Sequence, residues 1–202
     1  MLWLVAAAYA GALPVVAMGD GLVAGASPSA APGGWVAVLQ DCLEERAPGR
    51  FSVVDRANGG PVRETFERGD AVRELDPTVV VVTFGAHALD GVSAPSLEKD
   101  VGKLIRALRS GDAPPRVVLV GVAPAVASVA ADQAKLDEQI AAWNAVLTTA
   151  ASKDGVRRVD LLTDWPADPA ARAGLASGAW ALSDQGHARV AAAVCDAVLA
   201  KP

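Results

Sequence analysis

Thr78-Val-Val-Val-Val-Thr-Phe84 is an unbroken run of β-branched and aromatic residues, preceded by Asp76-Pro77 and followed by Gly85. A strand with one wet face alternates apolar and polar residues. A run apolar on both faces predicts a strand covered on both sides, at the centre of a parallel sheet. Outward from it, Leu13-Pro-Val-Val-Ala-Met18, Phe51-Ser-Val-Val54 and Arg116-Val-Val-Leu-Val-Gly-Val122 repeat the signal. Val156 to Leu162 holds a fifth strand, which Arg157 and Arg158 place near an edge. Between the strands the apolar period becomes helical. Trp35, Val38, Leu39, Cys42 and Leu43 mark one stripe, and Leu97, Val101, Leu104, Ile105 and Leu108 another. Leu136, Ile140, Trp143 and Leu147 mark a third, and Val190, Val194 and Val198 a closing one. Val62, Phe66, Val72 and Leu75 predict a helix weakened at Gly69, and Asp164 to Leu182 predicts irregular chain. Five strands alternating with five helices predict a three-layer α/β/α sandwich around a mostly parallel five-stranded sheet, of the flavodoxin-like type.

Composition agrees with that architecture. The 202 residues suffice for one ordinary domain, with 52% hydrophobic and 20% charged residues. A formal net charge of −5 and the lack of Lys/Arg runs argue against nucleic acid and anionic membrane surfaces as partners. Two histidines and two cysteines, without clustered ligand spacing, predict neither a metal site nor a cofactor. The stretch from Leu2 to Met18 is uncharged but interrupted by Pro14, which makes it a poor integral membrane span. Ala8-Tyr9-Ala10 and Ala10-Gly11-Ala12 have the A-x-A form of a cleavage site, though no Lys or Arg precedes the apolar stretch. Residues 1–12 are therefore expected to be a hydrophobic leader or arm and residues 13–202 a single domain. Export or a periplasmic location is placed slightly ahead of the cytoplasm.

In sheets of this kind ligands sit beyond the carboxyl ends of the strands, near the point where strand order reverses. The loops there carry Gly19-Asp20-Gly21, Asn58-Gly-Gly60, Gly85-Ala-His87 and the region of Trp180. Val15-Val-Ala-Met-Gly-Asp-Gly-Leu22 resembles the opening block of the SGNH (GDSL-type) hydrolases, an apolar strand running into Gly-Asp-Ser-Leu. Val53-Val-Asp-Arg-Ala-Asn-Gly-Gly60 is similar to their second block, which implies that Gly60 sits at the oxyanion-hole glycine. Val80-Val-Val-Thr-Phe-Gly-Ala-His-Ala88 resembles the third, Gly-x-Asn-Asp, with His87 at the asparagine. Gly186-His-Ala-Arg189 resembles the start of the closing helix. Four blocks in order over residues 13–200 carry far more weight than any one alone.

The resemblance implies acyl transfer to a serine, with a histidine base, an orienting aspartate and donors for the oxyanion. At the nucleophile position this chain has Gly21, which has no side-chain oxygen. The closing Asp-x-x-His block admits two registers. Ser183-Asp184-Gln-Gly-His187 has the literal spacing, so Asp184 and His187 are one candidate dyad. Registering Gly186-His187 on the family's helix start instead puts the aspartate position at Gly178 and the histidine position at Ala181. This second register, which is preferred, gives Ser183 an N-cap role with Asp184 in the first turn. It predicts a dismantled site and a non-catalytic, pseudoenzyme-like binding or scaffold module. Its pocket would be lined by Asp20, Gly21, Gly60, His87, Trp180 and Ala181, and would take an acyl-ester or glycan-ester ligand or a protein partner. The alternative is an active carboxyl-ester hydrolase in which His187 and Asp184 activate water. A weaker possibility is a new dyad of Asp20 and His87; Ser27 and Ser29 are the nearby serines that would matter if the nucleophile lay elsewhere.

Right-handed crossovers put the first and last helices of a 2-1-3-4-5 sheet on one face. Cys42 and Cys195 lie on those helices and can approach each other. Two buried thiols are the default expectation, and a disulfide would favour export.

Overall fold

The computed structural model describes residues 11–19, 34–57, 62–85, 89, 91–125, 132–154, 156–163, 165–176 and 181–201. The strands are β1 (Leu13–Gly19), β2 (Phe51–Ala57), β3 (Val79–Thr83), β4 (Arg116–Val120) and β5 (Arg157–Val159). The helices are α1 (Gly34–Arg46), α2 (Val62–Glu67), α3 (Gly69–Arg73), α4 (Ala94–Leu108), α5 (Gln133–Asp154), α6 (Pro169–Gly174) and α7 (Asp184–Leu199). All strand pairs are parallel, as the alternation of elements predicted, and their order is β2-β1-β3-β4-β5, the order of the flavodoxin-like fold expected.

The period of two in each strand divides the core. Val15, Ala17, Val79, Val81, Val118 and Val120 face the layer formed by α1 and α7. Val16, Met18, Val80, Val82, Val117 and Leu119 face the layer that includes α4 and α5. Both faces being covered is the physical reason that β3 reads as four consecutive valines, all of them buried. β5 has only three residues, with Arg157 exposed and Val159 buried, and it forms the edge.

Two stretches differ from expectation. The segment predicted as one helix weakened at Gly69 is two, α2 and α3, with the break at Arg68. A Cβ on Gly69 would meet Ala107 Cβ at 3.0 Å and Leu104 Cδ1 at 3.2 Å, so the glycine allows α3 to lie close against α4. The stretch expected to be irregular contains α6, started by Pro169 and by the Asp168 carboxylate accepting from Ala171 N–H at 2.8 Å.

The expectation of two free thiols is overturned. Cys42 and Cys195 form a disulfide between α1 and α7, with Cα atoms 6.4 Å apart and 153 residues of separation. The cause is topological: both helices cover the same face of the sheet, and their packing brings the two positions within bonding reach. Arg46 and Asp196 add an ion pair at 2.5 Å beside it. Among the described residues no helix is long and apolar enough to cross a membrane.

Candidate functional site at the carboxyl edge of the sheet

Gly19, the last residue of β1, registers with Ala57 on β2 and with Thr83 on β3. Three neighbouring strands therefore end at one level, and the loops that follow leave the same edge. Asp20 and Gly21 follow the first, Gly60 the second and His87 the third. Asp20, Gly21, Gly60, His87, Gly178 and Trp180 themselves lie outside the described residues, as do Ser27 and Ser29. Of the predicted site residues, Ala181, Asp184 and His187 are described.

These three lie at the start of α7. Ser183 takes an extended conformation, its Oγ accepting from Gly186 N–H at 3.3 Å and donating to Gly174 carbonyl at 2.8 Å. This is the N-cap role that the second register assigns to it, with Asp184 in the first turn. A Cβ on Gly186 would lie 2.2 Å from the Leu175 carbonyl oxygen, so no larger residue fits without moving the chain. Ser183 N–H donates to that same carbonyl at 2.9 Å, and an antiparallel bridge pairs Ala176 with Leu182. The turn carrying Ala181 is thus held against the end of α6.

His187 is 4% exposed. Its Nδ1 accepts a hydrogen bond from the backbone N–H of Trp35 at 3.2 Å, and its Nε2 has no partner among the described residues. An acceptor Nδ1 requires the neutral tautomer protonated at Nε2. Burial holds the imidazole pKa below its ordinary value, while the nearby Asp184 charge opposes that shift. The positive end of α1, on which Trp35 sits, further disfavours an imidazolium. The imidazole supplies a cap for an otherwise orphaned first-turn donor of α1.

A catalytic dyad needs the opposite arrangement: Nδ1–H donated to the carboxylate and a free Nε2 lone pair facing the reacting group. No hydrogen bond joins Asp184 to His187, and Asp184 is exposed. In this geometry His187 has no lone pair left with which to deprotonate water.

Other polar groups near this edge were not singled out from the sequence. Thr83 is fully buried at the end of β3, and its Oγ1 has no partner among the described residues. Asn144 on α5 pairs with Val122 through two bonds of 2.9 Å, and its Oδ1 also accepts from Arg158 at 3.2 Å. Arg158 pairs with Asp160 at 3.0 Å. Burial raises the Asp160 pKa, but the hydrogen bond and charge of Arg158, with the N–H donors of Thr163 and Leu162, hold it below the ordinary carboxylate value. These contacts fasten the chain beyond β4 and β5 to α5. Asn144, next to Trp143 on the apolar stripe of Leu136, Ile140, Trp143 and Leu147, was the one available sequence signal. Among the described residues no group of three or more His, Cys, Asp or Glu side chains is placed to hold a metal ion.

Comparison with known proteins follows the same outline. The model of the GDSL-like lipase/acylhydrolase family matches residues 17–189. A lipase/acylhydrolase from Enterococcus faecalis superposes with a TM-score of 0.77 at 17% identity, over 92% of this chain and 95% of the other. An acetylxylan esterase from Geobacillus stearothermophilus, in a catalytic-mutant form, gives 0.75 at 17% identity over 96% and 97%. An alpha/beta hydrolase enzyme from the metagenome of Lake Arreo, Spain, gives 0.73 at 18% identity over 96% and 99%. Among curated protein sequences none matches this chain.

Proposed function

This chain belongs to the GDSL-like lipase/acylhydrolase family, and we propose that within it the protein is a non-catalytic, hydrolase-like binding module. The observation that carries this reading is Gly21 at the position of the nucleophilic serine in the Gly-Asp-Gly-Leu block. Serine-based acyl transfer needs an oxygen there, and glycine has none. Loss of a nucleophile costs on the order of 10⁶ in turnover in a comparable triad.

The start of α7 supports a wider loss. Ser183 as N-cap and Gly186-His187 packed against Leu175 and Trp35 favour the register in which Ala181 takes the position of the base. That register also replaces the orienting aspartate by Gly178. The alternative, water activated by His187 and Asp184, is opposed by the acceptor role of Nδ1. A pocket without nucleophile or base retains the means to bind an acyl-ester or glycan-ester ligand, with Asp20, Gly60, His87 and Trp180 around it and Gly60 as an oxyanion donor. Binding without turnover is the function assigned. The Cys42–Cys195 bond supports residence in an oxidising compartment, since such bonds persist outside the reducing cytosol.

Labelling the purified protein with a fluorophosphonate and measuring its intact mass tests the assignment. The expected result is no adduct. An adduct on any serine, Ser27 and Ser29 first among them, would show a working nucleophile and overturn it.

A further inference from the structure

The opposite end of the sheet, where the strands begin, holds a groove of about 560 Å³. Buried Phe51, Val117 and Val198 are among its walls, and Arg50, Arg109, Arg116 and Lys201 also line it. Among the described residues no carboxylate lines it. Four cations at one groove run against the composition of a chain whose net charge is −5.

The cations are held in place by different means. Arg116 donates to the carbonyls of Ala200, at 2.5 Å, and Val198, satisfying the last turn of α7. The Arg50 guanidinium lies over the Phe51 ring, 5.2 Å from its centroid. Arg157 adds a further positive charge beside them, donating to the Lys201 carbonyl at 3.1 Å. Burial first, and then the charges of Arg157 and Arg50, lower the Arg116 pKa, in keeping with the other cations around it.

The volume falls within the range of small-molecule sites, about 300–1,000 Å³. An apolar wall beside a cationic rim selects for a molecule with both characters. We propose that this groove is a second binding site, remote from the carboxyl edge, for an aliphatic carboxylate of medium chain length. The alkyl chain lies along the half-buried Leu13, Val156 and Leu199, and the carboxylate meets the guanidinium-rich rim, where arginine is the preferred partner of a planar anion. A small inorganic anion would meet the charge but leave the apolar wall uncovered; an alcohol of equal length would do the reverse. The inference does not depend on whether the family site is active.

Calorimetric titration of the intact, disulfide-bonded protein with decanoate, decanol and inorganic phosphate tests it. Decanoate is expected to bind, with decanol and phosphate each weaker by about tenfold or more, the loss that follows from one charge-assisted contact. Arg50→Glu, an exposed position far from the family site, is expected to weaken decanoate by at least the same factor. Lys201→Glu serves the same purpose should Arg50→Glu fail to fold. No decanoate binding, equal binding by the folded variant, or phosphate or decanol binding as tightly would overturn the proposal.

Discussion

The Nδ1 atom of His187 and the backbone N–H of Trp35 are 3.2 Å apart, joined by a hydrogen bond that spans 152 residues of chain and links the first turn of α7 to the first turn of α1. In the chain α1 follows β1, and α7 comes after β5 and α6. The histidine that sequence spacing offers as a catalytic base therefore works as a clamp between two helices.

Protonation at Nδ1 and this hydrogen bond exclude each other, which gives the clamp a pH dependence. Burial places the folded-state pKa below that of the unfolded chain, so the unfolded chain takes up the proton first. The contribution to stability is complete above about pH 6.5 and is lost as pH falls through the lower folded value. His187→Asn keeps an acceptor and does not titrate. The stability difference between wild type and His187→Asn, measured by urea denaturation, is expected to shrink between about pH 7.5 and about pH 5. A difference that stays constant across that range counts against the clamp.

Gly186→Ala tests the packing that fixes the register of α7. Its Cβ would sit 2.2 Å from the Leu175 carbonyl oxygen, so the turn must move. A loss of about 1–3 kcal/mol is expected. Ser183→Ala removes the cap to Gly186 N–H and is expected to cost about 1 kcal/mol. Chemical denaturation of the two variants checks both values; a neutral Gly186→Ala would mean that the turn tolerates a side chain.

Reduction of the Cys42–Cys195 bond releases a loop of 153 residues in the unfolded chain. The expected loss is about 2–5 kcal/mol, most of it through the unfolded state. The double variant Cys42→Ala/Cys195→Ala is expected to unfold at a correspondingly lower urea concentration, with dithiothreitol leaving its midpoint unchanged. A dithiothreitol effect of equal size on wild type and variant would rule out the bond as its source.

Rebuilding the site tests which register is right. Under the proposed register Gly21→Ser alone supplies an oxygen but no base, and is expected to remain inactive. If that register holds, the combination Gly21→Ser, Ala181→His and Gly178→Asp restores the family's three positions and is expected to raise ester hydrolysis above the single variant by about 10²-fold or more. Rescue by Gly21→Ser alone would place a working base elsewhere, with His187 the first candidate.

Much of the architecture was legible because burial on both faces leaves a direct mark on composition. The four valines from Val79 to Val82 identify a central strand, and the paired arginines in β5 an edge one. The break at Gly69 was legible only as a weakness, since its cause is the approach of Ala107 and Leu104 from α4, far away in the chain. The bond between Cys42 and Cys195 needed a distance that the sequence does not contain; only the shared face was readable. At the candidate site the proposal that Gly21 stands at the family's serine position rests on the Gly-Asp-Gly-Leu block alone. The role of His187 was not readable in the same way, because Asp184 to His187 has the literal spacing of a dyad. Its meaning changes once Trp35 is seen to donate to Nδ1.

The steady-state hydrolysis of p-nitrophenyl acetate by the wild-type protein, with His187→Asn and a protein-free control alongside, tests the central claim most directly. A non-catalytic module predicts that all three rates coincide. Saturable turnover by the wild type that is lost in His187→Asn would contradict it, and would make His187 a base after all.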